Sequence, residues 1–350
     1  MLCTRTKNLP LLGVTLLFLQ ASGVAMAEAQ AQPVRLERSY WVHASLGMLV
    51  QRGYYGADFP AATPPTREEV DNAARLLCGS CGANRLYLIY HREIADSDAR
   101  RVFAWWRAAC PGSVELVPAL LVKMYDKPQT QVFTPAEAGG LADFFQATVN
   151  SNRLAIYDVY AGRDPGEALP LLAKRYPCGL IRLGLQPGET LAAPFAGAVQ
   201  DTWSGFCHGT RTVEDWSQTG FGAETLRRWA VQRNAENRPI VWDLVVVAWD
   251  YGATPRGGYP GYDDAAKNMP LPSGRNRAGA DVIAGAAKAE VFGGFSSDLY
   301  ILHENSRHAA HDGKGGAFYQ TLREGREYGG YYAEPFREVT ALYREMEKGK

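Results

Sequence analysis

The sequence has no excess of charge of either sign. Its 350 residues carry 37 Lys+Arg against 37 Asp+Glu, with no Lys/Arg cluster, which argues against nucleic acid or an anionic membrane as the main partner. Fibrous and disordered classes are excluded too, because 46% of residues are hydrophobic and 21% charged, as in soluble globular chains. After the N-terminus no apolar run reaches the ~20 residues of a membrane span. No G-x-G-x-x-G follows the first candidate strand, and Gly252-Ala-Thr-Pro255 is no phosphate loop, so a nucleotide cofactor gets no support. There is no G-x-S-x-G, and His43-Ala-Ser-Leu-Gly47 resembles a nucleophile elbow only superficially, which sets acyl transfer aside. No cofactor is expected.

What is present begins with an export signal. Arg5 and Lys7 precede an apolar run from Leu9 to about Ala21, followed by Ala25-Met26-Ala27. A charged region, a short apolar region and an A-x-A site read as a signal peptide over residues 1–27. The mature chain, 28–350, is then one domain, secreted or periplasmic, with no membrane span. Export changes the meaning of its five cysteines, Cys78, Cys81, Cys110, Cys178 and Cys207. No second C-x-x-C or spaced His pair completes a zinc site around Cys78-Gly-Ser-Cys81, so a structural disulfide is the expectation.

Helix starts are well marked. Thr66-Arg-Glu-Glu69 is a capping box, and Thr134-Pro-Ala-Glu137 and Asp164-Pro-Gly-Glu167 each place a cap, then Pro, then Glu. Further helices are expected from Asp96 or Ser97 through Trp106, over Phe221–Asn234 and over Pro335–Met346. Between them lie apolar, β-branched or aromatic runs: Tyr40–Ala44, Arg85–Tyr90, Val114–Val122, Arg153–Tyr157, Gly179–Leu185, Thr202–Cys207, Pro239–Ala248 and Asp298–Leu302. Most are apolar on both faces, as buried parallel strands are. Eight such runs alternating with helices predict a single (β/α)8 (TIM) barrel. A doubly wound open sheet is the runner-up. The turn-rich stretch Tyr251–Phe295 reads as a long insertion between strands 7 and 8.

In such a barrel the active site lies at the C-terminal strand ends. Those positions carry His43, His91, Glu93, Lys123, Tyr125, Asp158, Tyr160, His208, Asp250, Tyr251, Glu304 and Asn305. All six histidines fall at or just past an expected strand end. Glycoside hydrolysis needs two carboxyl groups flanking the bond, one kept protonated by its surroundings. Asp158, Asp250 and Glu304 are the candidates, since each follows an apolar run that would hold it rigidly. His43, His91, Glu93, Lys123, Tyr125, Tyr160, Arg163, His208, Trp249, Tyr251 and Asn305 would bind a polysaccharide or oligosaccharide, aromatic rings stacking on sugar faces. Metal-assisted hydrolysis through His303, Glu304, His308 and His311 is the alternative chemistry, but the first strand carries His43-Ala-Ser45 in place of H-x-H, and H-E-x-x-H is absent. No metal is expected. A catalytically inactive saccharide-binding barrel is the non-enzymatic alternative.

Two segments carry a family resemblance. Ala155-Ile-Tyr-Asp-Val-Tyr-Ala-Gly-Arg-Asp164 resembles the strand-end signature of glycoside hydrolase family 99, with Asp158, Tyr160 and Arg163 on its Glu, Tyr and Arg positions. Trp249-Asp-Tyr-Gly-Ala-Thr-Pro-Arg256 is similar to a Trp-Asp segment of related bacterial polysaccharide-associated barrels. Val159 and Ala161 stand where the family has Pro and its second carboxylate. The resemblance implies a (β/α)8 glycosidase acting on polysaccharide. In that barrel helix C-termini gather at the N-terminal face, which sets Cys110 beside Cys78 or Cys81 for a disulfide. Cys178 and Cys207 stay unpaired.

Overall fold

The structure, a computed structural model, describes residues 35–46, 64–90, 96–123, 140, 143, 153–158, 180–183, 197–200, 202, 221–244, 274–299, 321–326 and 333–349. The strands are β1 (Glu37–His43), β2 (Arg85–Tyr90), β3 (Glu115–Lys123), β4 (Ala155–Asp158), β5 (Leu180–Leu183), β6 (Gly197–Gln200), β7 (Ile240–Leu244) and β8 (Phe292–Asp298). They pair in chain order, all parallel, and β8 returns to β1 to close a barrel. Parallel neighbours need a crossover between them. The described helices are α1 (Arg67–Ala74), α2 (Asp96–Ala109), α3 (Phe221–Glu236), α4 (Arg275–Ala286) and α5 (Ala333–Lys348). Among the described residues no helix is long and apolar enough to cross a membrane.

The start of α1 is set locally, by the capping box. The Glu69 amide donates to Thr66 Oγ1 at 3.3 Å, and the Thr66 amide donates to Glu69 Oε2 at 2.7 Å. The helix then widens into a π-helical turn, Arg75–Ser80, where the Cys81 amide reaches back to the Leu76 carbonyl at 2.8 Å.

Strand alternation sorts the buried residues into two cores. Tyr40, Val42, Leu86, Leu88, Leu116, Leu120, Ile156, Ile240, Trp242 and Leu244 pack outward against helix residues such as Val70, Trp106, Trp229, Ile283 and Tyr343. Each large apolar side chain buried there contributes roughly 1.5–3 kcal/mol. Their alternates, among them Ser39, Trp41, His43, Tyr87, Ile89, Val117, Ala119 and Asp243, are as deeply buried but lie outside that layer. By the two-residue strand period they fill the lumen. Helix α5 seals β1 from outside. Its Tyr343 hydroxyl donates to the Ser39 carbonyl at 2.8 Å, and the Tyr40 ring lies 5.2 Å from that of Tyr343 and 5.8 Å from that of Phe336.

Three expectations need correction. The sixth strand is Gly197–Gln200, and of the expected run Thr202–Cys207 only Thr202 lies among the described residues. Four small or unpatterned residues make that strand, while the more aromatic run after it looked more strand-like; Thr202 instead donates its hydroxyl to the Asp243 carbonyl. The eighth strand is Phe292–Asp298, so Asp298 ends it rather than opening it. The stretch Tyr251–Phe295 is not one insertion, because it contains α4 and the first residues of β8; residues 251–273 lie outside the described residues. The glycines that made β8 look like a loop have a steric reason. Gly294 has φ +115°, and a Cβ there would overlap the backbone of Glu37.

Candidate active site

The lumen is polar at both ends. At the N-terminal end Glu37 sits 5% exposed and is met from three directions. Its Oε1 accepts from the Ser39 and Tyr87 hydroxyls, both at 2.6 Å, and its Oε2 pairs with Arg85. Arg85 also donates to Glu115 Oε2 through Nε at 2.9 Å and Nη2 at 2.8 Å, and Arg153 Nε lies 3.3 Å from Glu115 Oε1. Burial works against the Arg85 charge, but Tyr87, Glu37 and Glu115 outweigh it and raise its pKa. The Tyr87 hydroxyl is held well above its usual range, first by burial and then by the Glu37 charge. Each polar group here answers another, so this is a structural floor.

The C-terminal half differs. On the adjacent strands β7, β8 and β1 the lumen positions hold Asp243, Ser296, Asp298, Trp41 and His43, all at most 3% exposed. Asp243 is the register partner of Ser296, Ser296 of Ser39, and Asp298 of Trp41. Asp243 and Asp298 are therefore diagonal neighbours. A strand spacing of ~4.8 Å and a rise of ~3.3 Å per residue put their Cα atoms roughly 8 Å apart. Trp41 stacks on Tyr87, centroids 3.9 Å apart and planes 11° apart, which links the acidic level to the floor.

His43 is fixed by the turn that follows it. The Ala44 amide donates to the Ile89 carbonyl at 3.1 Å, and the Leu46 amide to the His43 carbonyl at 2.9 Å. Trp106 Nε1 donates to the Ala44 carbonyl at 2.8 Å. Arg323 Nε reaches the Leu46 carbonyl at 2.9 Å, Nη2 the Ser45 carbonyl at 3.3 Å, and Nη1 pairs with Glu69 at 2.9 Å. These bonds hold Leu46 at φ 49°, a conformation unfavourable for a γ-branched side chain. On the other side the Leu299 amide donates to the Trp41 carbonyl at 2.9 Å, tying the end of β8 to β1. The backbone at the end of β1 is thus tied to β2, β8, α2 and Arg323.

Of the expected site residues, the structure describes three on the barrel. His43 ends β1, Lys123 ends β3 and Asp158 ends β4, with Lys123 and Asp158 register partners across a bulge. Asp250, Glu304, His91, Glu93, Tyr125, Tyr160, Arg163, His208, Trp249, Tyr251 and Asn305 lie outside the described residues, as do His303, His308 and His311. Asp243, Ser296 and Asp298 were missed. Their signal was the two-residue spacing of polar groups inside Ile-Val-Trp-Asp-Leu and Phe-Gly-Gly-Phe-Ser-Ser-Asp. Among the described residues no group of three metal-binding side chains gathers. The thiol beside Cys110 is Cys78, Sγ to Sγ 3.5 Å, and not Cys81, because the π-helical turn carries Cys78 to the end of α2.

No protein-family model and no curated protein matches the chain. Among solved structures, N-acetylneuraminate lyase from Fusobacterium nucleatum is 9% identical with a TM-score of 0.40, over 90% of this chain and 83% of that one. The lyase from Mycoplasma synoviae is 9% identical with a TM-score of 0.38, over 89% and 81%. A GH138 enzyme targeting pectin rhamnogalacturonan II is 6% identical with a TM-score of 0.36, over 90% of this chain and 43% of that one. At these scores the likenesses carry no argument about what this chain does. Its own strands and lumen define it as a parallel α/β barrel with an acidic, histidine-bearing C-terminal half.

Proposed function

We propose that the protein is an exported glycoside hydrolase acting on a polysaccharide or oligosaccharide, with Asp243 and Asp298 as its acid/base pair. The observation that carries this reading is the placement of two buried carboxylates on neighbouring strands of the C-terminal half of the lumen. On neighbouring strands of one lumen the two side chains can flank a single glycosidic bond, the arrangement that glycoside hydrolysis needs. One carboxyl protonates the glycosidic oxygen as the bond to the anomeric carbon breaks. The other takes a proton from the water that attacks that carbon. His43, fixed at the end of β1, hydrogen-bonds a sugar hydroxyl. Asp158 and its neighbour Lys123 bind the substrate at the far rim, since β4 lies half-way round the barrel from β8. The resemblance of residues 155–164 to glycoside hydrolase family 99 supports the same reading at Asp158. Export rests on the charged, apolar and A-x-A regions of residues 1–27.

The test is hydrolysis of a panel of bacterial envelope and plant polysaccharides. Reducing-end release should show cleavage, and proton NMR of the newborn anomer its stereochemical course. Asp243→Asn and Asp298→Asn should each lower turnover at least ~10²-fold. Absence of cleavage across the panel, or full turnover in both variants, overturns the proposal.

A further inference from the structure

The Cys78 and Cys110 thiols meet on the face of the barrel away from the candidate active site. Cys78 lies in the π-helical turn that ends α1, and Cys110 immediately follows α2. Both chain segments then enter the next strand at its N-terminal end. The two Sγ atoms are 3.5 Å apart, and both residues are partly buried against the helix-side core. Sequence separation is 32 residues. Cys81 lies one turn on, buried and near the Tyr40 hydroxyl.

The π-helical turn is the second observation. Such wide turns are rare and cost regular helix bonding, and they recur where a side chain must be re-aimed. Here the wide turn has the Cys81 amide bonded to Leu76 and the Ala83 amide to the Leu77 carbonyl at 3.1 Å. Its consequence is that Cys78 faces the end of α2.

We propose that Cys78 and Cys110 form a reversible disulfide that staples α1 to α2. Oxidation removes two protons and two electrons from the thiols and joins their sulfurs. A low-molecular-weight disulfide accepts the electrons and protons, its S–S bond breaking to two thiols. Only a small torsional adjustment separates 3.5 Å from a bonded pair, so the barrel framework stays as it is. The hydrogen bond to Cys110, and then burial, holds the Cys78 thiol well above its usual pKa. Thiolate is the attacking species, so formation is slow, while an external thiolate reopens the bridge.

The full chain is incubated with oxidised glutathione and digested with trypsin without reduction. A bridge joins peptide 76–85 to peptide 108–123, in the wild type and in Cys81→Ser alike. Because peptide 76–85 holds both Cys78 and Cys81, the Cys81→Ser variant assigns the sulfur. Dithiothreitol should lower Tm by roughly 5–10 °C in both proteins, the effect of opening a loop of this length, and should leave Cys78→Ser unshifted. Should Cys78→Ser fold poorly, the wild type and Cys81→Ser decide alone. A bridge lost in Cys81→Ser, or Cys110 recovered as a thiol after prolonged oxidation, overturns the proposal.

Discussion

At the N-terminal end of the lumen a cation stands between two glutamates, with Arg85 bonded to both Glu37 and Glu115 and two hydroxyls completing the set. At the C-terminal end, the lumen positions of β7, β8 and β1 hold two aspartates, a serine, a tryptophan and a histidine, with no Lys or Arg among them. Both levels are buried, so both are removed from water at a cost. The first recovers that cost through matched charge, which is what a barrel floor needs. The second places two carboxylates on adjacent strands beside a histidine of the third, which is what the proposed bond cleavage needs.

The two levels part most sharply at Arg85. Arg85→Met leaves Glu37 buried without its cation and should cost about 3–5 kcal/mol of stability, read as a lower urea midpoint, while turnover per folded molecule is unchanged. A loss below about 1 kcal/mol would show the floor to be incidental. At the other end, Asp158→Asn keeps side-chain shape and removes ionisation. As a substrate-binding carboxylate its loss should raise KM on the cleaved glycan, with kcat and the melting curve little changed. An unchanged KM would remove Asp158 from the site.

Alkaline unfolding sharpens the contrast further. Tyr40, Tyr87 and Tyr343 are held well above the usual value of 10.0, burial being the largest cause for each. The unfolded chain releases those phenolic protons near pH 10 while the folded chain keeps them. Stability is therefore level below that pH and falls above it, by about 1.4 kcal/mol per pH unit for each tyrosine. Tyr87→Phe should flatten that fall, and an unchanged slope in urea melts between pH 10 and 11 would contradict the buried floor. The smallest effect is away from the lumen. Thr66→Ala removes the α1 cap and should cost about 1 kcal/mol, seen in the same melts with no change in turnover.

The alternation of strands and helices was legible because its signals are local. Runs such as Arg-Leu-Tyr-Leu-Ile-Tyr and the Thr66 capping box declare themselves within a few residues. β6 and β8 were not legible, for different reasons. Gly-Ala-Val-Gln is too short to show a period, and β8 takes glycine where β1 crowds it and serine or aspartate where it faces the lumen. The site followed the same division. His43, Lys123 and Asp158 could be read as strand ends, since a short apolar run immediately precedes each of them. Asp243 and Asp298 lie within or at the end of strands whose polar inward face belongs to the closed barrel, and only the register between strands reveals their proximity. The identity of the thiol at Cys110 depended likewise on a π-helical turn that the sequence Arg-Leu-Leu-Cys-Gly-Ser does not announce.

Under the proposed function the two polar levels of one lumen divide structure from chemistry. It is tested most directly by measuring, on the same cleaved glycan, turnover and urea stability of Arg85→Met and Asp298→Asn side by side. The account predicts a double dissociation: Arg85→Met loses about 3–5 kcal/mol of stability and keeps its turnover per folded molecule, whereas Asp298→Asn loses at least ~10²-fold in turnover and far less stability. Asp298→Asn with full turnover, or Arg85→Met with turnover abolished while folded, would contradict it.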